Sequence, residues 1–325
     1  MRAAQLVGPR NFEIVDAPVP SVSDGNCLVE IESWSICGSD IRHTYGAVLD
    51  EEYYPMEIGH PAHEIAGTVV ETRSDRFREG DRVIVLPTSD TTLVEYIEAL
   101  PERMIALPDD DPMDEWLMCQ PSGTVIYGCQ QLGTLLGKNV VVLGQGAIGL
   151  SFTAVLSRSG VSNVIAVDPL DYRLEYSAKF GATHTVNPTR VPTEEAVLDI
   201  LGGQKPDITI EAAGYTDTLN MALRLVKSHG IAMMFGIQQK SRENGFVVPM
   251  EYKDFRGSNA NLVTVAAGHT KDIRSHIALM VELRQRDWWD PAELITHRLA
   301  FDEVQRAFDM YVDHDDGVVK VVMER

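Results

Sequence analysis

The pattern of apolar and polar positions changes character along the chain. From Leu28 to about Val85, short β-rich runs are separated by Gly, Pro and Asp, as in I-A-G-T-V-V-E and G-D-R-V-I-V. Runs of this kind, bounded by turn residues, predict a β-rich domain. After Gly123, strand-like apolar runs alternate with helical periods. That alternation predicts a parallel sheet with crossover helices.

The alternating part of the chain divides into candidate strands and helices. Their predicted ranges are strands at 140–143, 164–167 and 183–186, helices at 147–159 and 173–180, and later strands in I-T-I-E-A-A-G and I-A-M-M-F-G-I. About seventy final residues hold predicted helices at 273–284 and 301–311 and a terminal strand in V-V-K-V-V, which is too little for a separate core. We therefore predict an α/β fold with a β-rich domain at 1–122 and 258–325 and a doubly wound parallel-sheet domain at 123–257.

Three glycines follow the predicted strand at 140–143. Gly144 allows a tight turn, Gly146 lets the backbone approach a pyrophosphate, and Gly149 lets the next helix lie close to the strand. The following strand ends at Asp168, about twenty positions later, where a carboxylate can accept hydrogen bonds from a ribose diol and repel the 2′-phosphate of NADP. This spacing predicts a dinucleotide site that prefers NAD. The alternative, a glycine-rich turn without a ligand, leaves Asp168 unexplained.

The composition narrows the classes of partner. The chain has 325 residues, with 28 Lys and Arg against 48 Asp and Glu, and a formal net charge of −20. Because a phosphate backbone requires a basic surface, we expect no nucleic-acid partner. The first residues lack the apolar run of a signal peptide, and no later run is long enough to span a bilayer. We therefore expect a cytoplasmic protein without a membrane partner.

Candidate metal ligands lie in two short segments of the β-rich region. Cys37 stands in W-S-I-C-G-S-D-I-R-H, and G-H-P-A-H-E-I-A-G carries His60, His63 and Glu64. Cysteine, histidine and carboxylate are zinc ligand types, and an open catalytic site needs three protein ligands. The four cysteines are too few and too scattered for a disulfide framework. A buried cysteine and a hydrogen-bonded core histidine are the structural alternative to a metal site.

These segments, taken in order, resemble the zinc-dependent alcohol and polyol dehydrogenases of the medium-chain dehydrogenase/reductase family. The resemblance covers nearly the whole chain and implies a GroES-like β-rich catalytic domain and a Rossmann domain for NAD(P). The motifs that carry it are C-G-S-D at 37–40, H-E-I-A-G at 63–67, G-D-R-V-I-V at 80–85, G-Q-G-A-I-G at 144–149, Asp168 with Arg173, I-T-H-R at 295–298 and G-V-V-K at 317–320.

The resemblance implies roles for residues of the β-rich domain. Cys37 and His63 match zinc ligands, and Glu64 matches an acid that lies beside zinc and can coordinate it. We prefer His63 to His60 because the family's acid and its following glycine are in frame with His63. Asp40 would hold the imidazole tautomer, and Ser39 would carry a released proton from the substrate oxygen toward solvent.

The resemblance also implies coenzyme contacts beyond the three glycines. Ile148 lies within G-Q-G-A-I-G, and Arg173, five residues after Asp168, is the only nearby cation that could receive a 2′-phosphate. Thr124 matches a residue that packs on the nicotinamide. Lys320 matches a basic residue near the pyrophosphate. An ordinary structural threonine and a surface lysine are the alternatives for Thr124 and Lys320.

Three positions depart from the family pattern. Gln120, in M-C-Q-P-S-G-T, stands where relatives carry Cys, Asp or Glu as the third ligand, and its neighbour Cys119 leaves the identity of that ligand open. Arg42, followed by His43, stands where relatives often have a histidine that ends a proton relay. The closely spaced cysteines of the structural-zinc lobe are absent after Val85. We therefore expect one catalytic zinc and no structural zinc.

The resulting hypothesis is a zinc-dependent oxidoreductase that transfers hydride between NAD and a secondary alcohol or polyol, or its ketone. One alternative is a zinc-independent medium-chain reductase of enones or quinones, and another is a non-catalytic NAD-binding protein. The β-prone run at 245–252 predicts an exposed sheet edge, and an unpaired edge is an aggregation hazard. In relatives such an edge pairs across a two-fold axis, so we expect a homodimer, or a homotetramer if a second surface is used.

Overall fold

The chain folds into two units, one continuous in sequence and the other assembled from two segments. The computed structural model describes residues 1–47, 49–238, 247–266, 268, 270 and 272–325. Unit 1 consists of Met1–Gly123 and Lys271–Arg325, and unit 2 consists of Thr124–Thr270. Each unit contains its own sheet and its own apolar core.

The strands are short and belong to three sheets. In chain order they are β1 (Arg2–Gly8), β2 (Asn11–Asp16), β3 (Cys27–Ser35), β4 (Glu64–Thr72), β5 (Arg82–Val85), β6 (Tyr96–Ala99), β7 (Met104–Ala106), β8 (Asn139–Leu143), β9 (Asn163–Val167), β10 (His184–Val186), β11 (Ile208–Glu211), β12 (Ile231–Met234), β13 (Asn261–Thr264), β14 (Ile295–Ala300) and β15 (Lys320–Glu324).

The helices connect these strands. In chain order they are α1 (Gly38–Asp40), α2 (Met113–Leu117), α3 (Cys119–Gln131), α4 (Ala147–Ser157), α5 (Asp171–Lys179), α6 (Thr193–Ile200), α7 (Thr216–Leu225), α8 (Tyr252–Ser258), α9 (Ile273–Gln285) and α10 (Val304–Asp313). A π-helical turn, Ile41–Tyr45, follows α1 directly. None of the helices in the described part of the chain has both the length and the apolar character that crossing a membrane requires.

Strand β3 is central to unit 1. It pairs antiparallel with β4, β6 and β15 in a seven-stranded sheet of order β14-β15-β3-β4-β5-β7, to which β6 is added through β3. Apolar side chains of this sheet, including Val29, Ile31 and Trp34, share one core with Leu6 of β1 and Phe308 of α10. The β-rich character predicted for this region is confirmed. The final segment of the chain, from Lys271, belongs to the same unit.

Unit 2 contains a six-stranded parallel sheet of order β10-β9-β8-β11-β12-β13. Numbered within the unit, this order is 3-2-1-4-5-6, which is that of the doubly wound dinucleotide-binding fold. Strands β8 and β9 are almost entirely buried because helices cover both faces of the sheet. The predicted doubly wound sheet is confirmed. The strand order reverses between β8 and β11, and ligands of such sheets bind beyond the carboxyl ends of the strands at that point.

The second crossing between the units lies later than the sequence indicates. Strand β13 pairs in parallel with β12 and adds a sixth strand to the sheet. The chain therefore leaves unit 2 at Thr270, whereas the predicted boundary is at 257–258.

The predicted edge strand at 245–252 is corrected by the structure. Residues 247–250 have no strand pairing, and Tyr252 begins α8. Gly245 and Phe246 lie outside the described residues. Pro249 cannot donate a hydrogen bond to a sheet, which disfavours a strand in this run. The edge beside β12 is instead β13.

Candidate functional site

Three side chains of unit 1 bring metal-binding atoms together. Cys37 follows β3, and His63 and Glu64 stand at the start of β4, where Glu64 is paired with Ser35 of β3. The donor atoms of Cys37, His63 and Glu64 lie within 4.8 Å of one another. Glu64 is buried, and the other two residues are half-buried. The register of the β3–β4 pair therefore brings together the three residues that the sequence predicts, here called the metal group.

Asp40 connects two of these residues. Its Oδ2 accepts a hydrogen bond from the Cys37 backbone N–H at 2.9 Å, and its Oδ1 lies 2.9 Å from His63 Nδ1. Burial lowers the pKa of His63, but the charges of Asp40 and Cys37 outweigh burial and raise it well above its ordinary value. Burial raises the pKa of Asp40 despite the opposing effect of His63.

Glu64 forms a buried ion pair with Lys320. Lys320 Nζ donates to Glu64 Oε2 and to the Ile36 carbonyl, both at 2.7 Å, and the two side chains are 2% and 4% exposed. Burial would raise the pKa of Glu64, but the Lys320 ammonium and His63 together outweigh burial and lower it. Burial by itself would lower the pKa of Lys320, but the charges of Glu64, Tyr311 and Cys37, with Glu64 foremost, outweigh burial and raise it.

This position differs from the one that the resemblance implies for Lys320, which is near a pyrophosphate. Strand β15 runs antiparallel to β3, with Val322 paired with Ser35. Lys320, two residues earlier, is therefore placed against the end of β3 and the acid of the metal group. In the structure the Lys320 ammonium forms an ion pair with Glu64.

The third ligand position distinguishes Gln120 from Cys119. Gln120 Nε2 donates to the His63 carbonyl at 3.0 Å, while its Oε1 is buried and has no hydrogen-bond partner among the described residues. Cys119 is buried outside the donor group, and burial raises the pKa of its thiol to about 12. A buried amide oxygen without a partner costs free energy unless a donor or a cation meets it. A zinc ion fits this site. Its ligand types are the thiolate, imidazole and carboxylate present here, and the orphaned Gln120 oxygen lies beside His63.

The remaining polar residues near the group have separate positions. His60 lies outside the donor group, and its Nε2 is 3.4 Å from Thr44 Oγ1. Ser39 is half-buried on α1. Arg42 and His43 lie in the π-helical turn that follows α1. The structure therefore favours His63 over His60 as the histidine of the metal group.

The glycine fingerprint of unit 2 forms the turn between β8 and α4. Gly144 has a φ of +92°, and a Cβ on Gly149 would lie 1.8 Å from the Gly144 carbonyl oxygen. A Cβ on Gly146 would meet no atom within 4 Å, so the backbone is open there. These are the three properties that the sequence predicts for a pyrophosphate site, and they fit a dinucleotide. Ile148 is half-buried in the first turn of α4, and Thr124 is half-buried on α3.

Asp168 lies at the end of β9, as predicted, but it is 3% exposed. Its Oδ2 accepts a hydrogen bond from the Gln145 backbone N–H at 2.7 Å, and its Oδ1 accepts one from the Leu170 N–H at 2.9 Å. Arg173 Nη1 lies 3.8 Å from the same carboxylate. A carboxylate has about four acceptor sites, so Asp168 keeps capacity for a ribose diol while it holds the turn.

Two further polar residues of unit 2 are buried, and the sequence motifs predict no role for them. Gln145, within the fingerprint, is 0% exposed. Glu211, at the end of β11, accepts hydrogen bonds from the N–H groups of Ala213 and Gly214 and from Thr218 Oγ1, at 2.6 to 2.9 Å. Its Oε2 has no partner among the described residues, and burial raises its pKa. The available signal for Glu211 is an acid at the end of the apolar run I-T-I-E-A-A-G.

Two family models match separate parts of the chain. Residues 23–102 match the alcohol dehydrogenase GroES-like domain, and residues 147–282 match the zinc-binding dehydrogenase domain. The first match contains Cys37, His63 and Glu64 but not Gln120 or Lys320, which lie later in the chain. The second match begins at the first residue of α4.

Individual proteins resemble the chain over most of its length. It is 31% identical to a sorbitol dehydrogenase from Bombyx mori, over 74% of this chain and 78% of that protein. It is 25% identical to a D-xylulose reductase from Saccharomyces cerevisiae, over 99% and 97% of the two chains. The solved structure of an alcohol dehydrogenase from Thermus sp. ATN1 superimposes with a TM-score of 0.86, at 20% identity and over 100% of both chains.

Proposed function

Because the chain belongs to the zinc-type medium-chain dehydrogenase/reductase family, we propose that it transfers hydride between NAD and a secondary alcohol or polyol with one catalytic zinc. The predicted enzyme class, an alcohol or polyol dehydrogenase, is confirmed by the relatives. The observation that carries the zinc-dependent form of the reaction is the clustering of Cys37, His63 and Glu64. A zinc-independent enone or quinone reductase has no need of such a group.

We propose that Cys37 and His63 hold the zinc and that Glu64 or a water completes its shell. Zinc, when bound there, supplies a Lewis acid for the oxygen of the alcohol or ketone. Asp40 lies 2.9 Å from His63 Nδ1, which keeps the other ring nitrogen available as a ligand. Lys320 balances the charge of Glu64 in a buried site, where an unpaired carboxylate would be costly.

Proton transfer falls to Ser39 in this proposal. Ser39 lies two residues after Cys37 and is half-buried, a position from which its hydroxyl would reach both the site and solvent. A hydroxyl can accept a proton from the alcohol while donating its own to a neighbouring acceptor. Removal of the hydroxyl in Ser39→Ala is expected to lower kcat by about 100-fold while the metal content stays unchanged.

We propose that unit 2 binds NAD in preference to NADP. NAD supplies the hydride acceptor of the reaction. Gly144, Gly146 and Gly149 shape the turn that would receive the pyrophosphate at the start of α4. Asp168, beside that turn, would accept hydrogen bonds from the ribose and repel a 2′-phosphate. Thr124 remains a predicted nicotinamide contact.

Metal content measured before any chelator is used tests the proposal. We expect about one zinc per chain in the parent protein and a loss of metal in Cys37→Ala and His63→Ala, because each removes a ligand. His60→Ala and Cys119→Ala are matched controls that should keep the metal. Full zinc retention in both ligand variants would support the zinc-independent alternative, and NAD reduction with a panel of alcohols and polyols would separate an enzyme from a non-catalytic binder.

We propose that the protein forms a symmetric dimer through β13. Among the described strands, β13 pairs only with β12, so its other edge has no strand partner in the described part of the chain. Leu262 and Val263 in this strand are half-buried, whereas Asn261 and Thr264 are exposed. Pairing of two such edges across a two-fold axis satisfies the backbone groups of both chains with one surface.

Sedimentation equilibrium tests this assembly. We expect a mass of twice 36.0 kDa for the parent. The double variant Asn261→Lys with Thr264→Lys is expected to weaken the dimer, because it sets like charges against each other on the paired edges. Asn11→Lys, which adds one positive charge at an exposed position of unit 1, is the control. A concentration-independent mass near 36.0 kDa for the parent would refute a stable dimer.

A further inference from the structure

Gln145 stands between the first two glycines of the fingerprint, and the reaction proposed above gives it no task. The residue is 0% exposed, and its side chain makes three hydrogen bonds. Nε2 donates to the Val142 carbonyl at 3.2 Å. Oε1 accepts from Thr153 Oγ1 at 2.9 Å and from Ser177 Oγ at 2.9 Å, the latter sharing its single proton with the Arg173 carbonyl at 2.7 Å. Three of the four hydrogen-bonding positions of the carboxamide are therefore used, and the side chain has no contact with solvent.

The three partners of this side chain belong to three different elements. Val142 lies in β8, Thr153 in α4 and Ser177 in α5. The backbone N–H of Gln145 adds a fourth connection, to Asp168 at the end of β9. One residue thus joins the fingerprint turn to both strands and both helices that surround it.

The turn needs such an anchor because of its glycines. Gly144 and Gly146 lack side chains that could pack and hold the turn in place, and glycine loses more conformational freedom on ordering than any other residue. The first N–H groups of α4, an eleven-residue helix, have no acceptor within the helix and are those that would meet a pyrophosphate. If the turn were loose, binding would have to order it at a cost in affinity.

We propose that Gln145 is a positioning residue for the coenzyme. Its buried carboxamide fixes the backbone of the turn and the start of α4 in the arrangement that receives the pyrophosphate. Gln145 does not touch the coenzyme and acts through these backbone groups. The inference rests on the proposed dinucleotide function of unit 2, and it adds a residue that neither the glycine spacing nor Asp168 identifies.

The test compares Gln145→Met with a matched control. Gln145→Met keeps the length of the side chain and removes its three hydrogen bonds. We expect the Kd for NADH, measured by fluorescence titration, to rise about tenfold, because the turn must be ordered on binding. KM for the coenzyme should rise with it, while kcat at saturating coenzyme stays within about twofold of the parent.

Thr209→Val is the control for a purely structural effect. Thr209 is 0% exposed on β11 and donates from Oγ1 to the Ala222 carbonyl at 3.0 Å. Its replacement removes a buried hydrogen bond from the same sheet, so Tm should fall, as it should in Gln145→Met. The Kd for NADH should stay within about twofold of the parent, since Thr209 has no contact with the turn.

The outcomes separate this inference from the proposed function. A Gln145→Met protein whose Kd for NADH rises less than about twofold overturns the positioning role, whatever its Tm. If that variant does not fold, Thr153→Val, which removes one donor to Oε1, replaces it under the same criterion. A parent that binds neither NADH nor NADPH overturns the proposed function and the inference together, whereas a parent that binds NADH with unaffected variants overturns the inference alone.

Discussion

Buried charges are stabilised differently in the metal group of unit 1 and at the strand ends of the unit 2 sheet. In unit 1, Glu64 is balanced by the Lys320 ammonium, and Asp40 lies against His63. In unit 2, the carboxylates of Asp168 and Glu211 accept hydrogen bonds mainly from backbone N–H groups of neighbouring turns. One region pairs side chain with side chain, and the other pairs side chain with main chain.

This difference determines what a substitution leaves behind. Loss of one partner in unit 1 leaves the opposite charge buried and unpaired, which is strongly destabilising. Loss of an acid in unit 2 leaves neutral backbone N–H groups without a partner, which costs less free energy than an unpaired buried charge. We therefore expect removal of a charge in unit 1 to cost more stability than removal of an acid in unit 2, where Asp168 acts chiefly on coenzyme selectivity. All four tryptophans, Trp34, Trp116, Trp288 and Trp289, belong to unit 1, so their fluorescence follows that unit alone.

The largest effect is expected for Lys320→Met in zinc-free protein. Removal of the ammonium leaves the Glu64 carboxylate buried without a partner, which should lower the free energy of unfolding of unit 1 by about 3 to 5 kcal/mol. Denaturant unfolding followed by tryptophan fluorescence measures it. The double variant Lys320→Met with Glu64→Gln removes both charges and should regain most of the loss. A loss below about 1 kcal/mol in the single variant would contradict the contrast drawn between the two regions.

Removal of the metal is expected to affect the two regions unequally. Treatment with 1,10-phenanthroline should lower the rate of alcohol oxidation by at least about 100-fold, or about 2.7 kcal/mol of activation free energy. The Kd for NADH should change by less than about twofold, because the fingerprint turn is held within unit 2. Steady-state assays and fluorescence titration on the same sample provide both values. Undiminished activity after complete metal removal would contradict a catalytic zinc.

Coenzyme selectivity tests the backbone-held acid of unit 2. Asp168→Ser should relax the preference for NAD over NADP by about 1 to 3 kcal/mol, because it removes the charge that repels the 2′-phosphate. Arg173→Ala is the companion variant: it removes the cation 3.8 Å from that carboxylate and should strengthen the preference for NAD. The ratio of kcat/KM for the two coenzymes decides both. A parent protein with the higher kcat/KM for NADP would overturn the role given to Asp168.

The smallest effect is expected for Glu211→Gln and depends on pH. Burial raises the pKa of Glu211, so the folded chain keeps this proton to a higher pH than the unfolded chain does. Stability should therefore decline as pH rises above the ordinary glutamate pKa of about 4.3 and through the raised value. Glutamine keeps an acceptor for the three donors without this decline, so the variant should gain about 1 kcal/mol over the parent between about pH 5 and pH 8. Calorimetric Tm values across that range measure it, and parallel curves for the two proteins would contradict the account.

The contrast also explains what the sequence could predict. The fingerprint turn is local: Gly144, Gly146 and Gly149 act through backbone conformation and close approach, and their spacing alone indicates those properties. Asp168 follows because it ends the next strand. The role of Gln145 could not be predicted, because glycine spacing does not indicate where the side chain between the glycines points. Its burial becomes evident only when the neighbouring helices are packed around it.

The metal group depends on contacts between distant parts of the chain. Cys37 and His63 could be recognised from short motifs, but the partner of Glu64 could not, because Lys320 reaches it only through the antiparallel register of β15 and β3. The orphaned oxygen of Gln120 likewise depends on where α3 meets the His63 carbonyl. β-propensity predicts the edge of the unit 2 sheet in the run at 245–252, but the edge strand is β13. Propensity does not reveal which strands pair with each other.

The division of unit 1 into two segments has a consequence for biosynthesis. Unit 2 is continuous, so all its strands leave the ribosome before β15 is made. At about 5 to 20 residues per second, the roughly 200 residues between the end of the first segment and Lys320 take about 10 to 40 s to translate. During that interval β3 lacks its neighbour β15, and the acid at the start of β4 lacks its cation. The nascent chain therefore holds all the strands of unit 2 while the sheet of unit 1 still lacks β15.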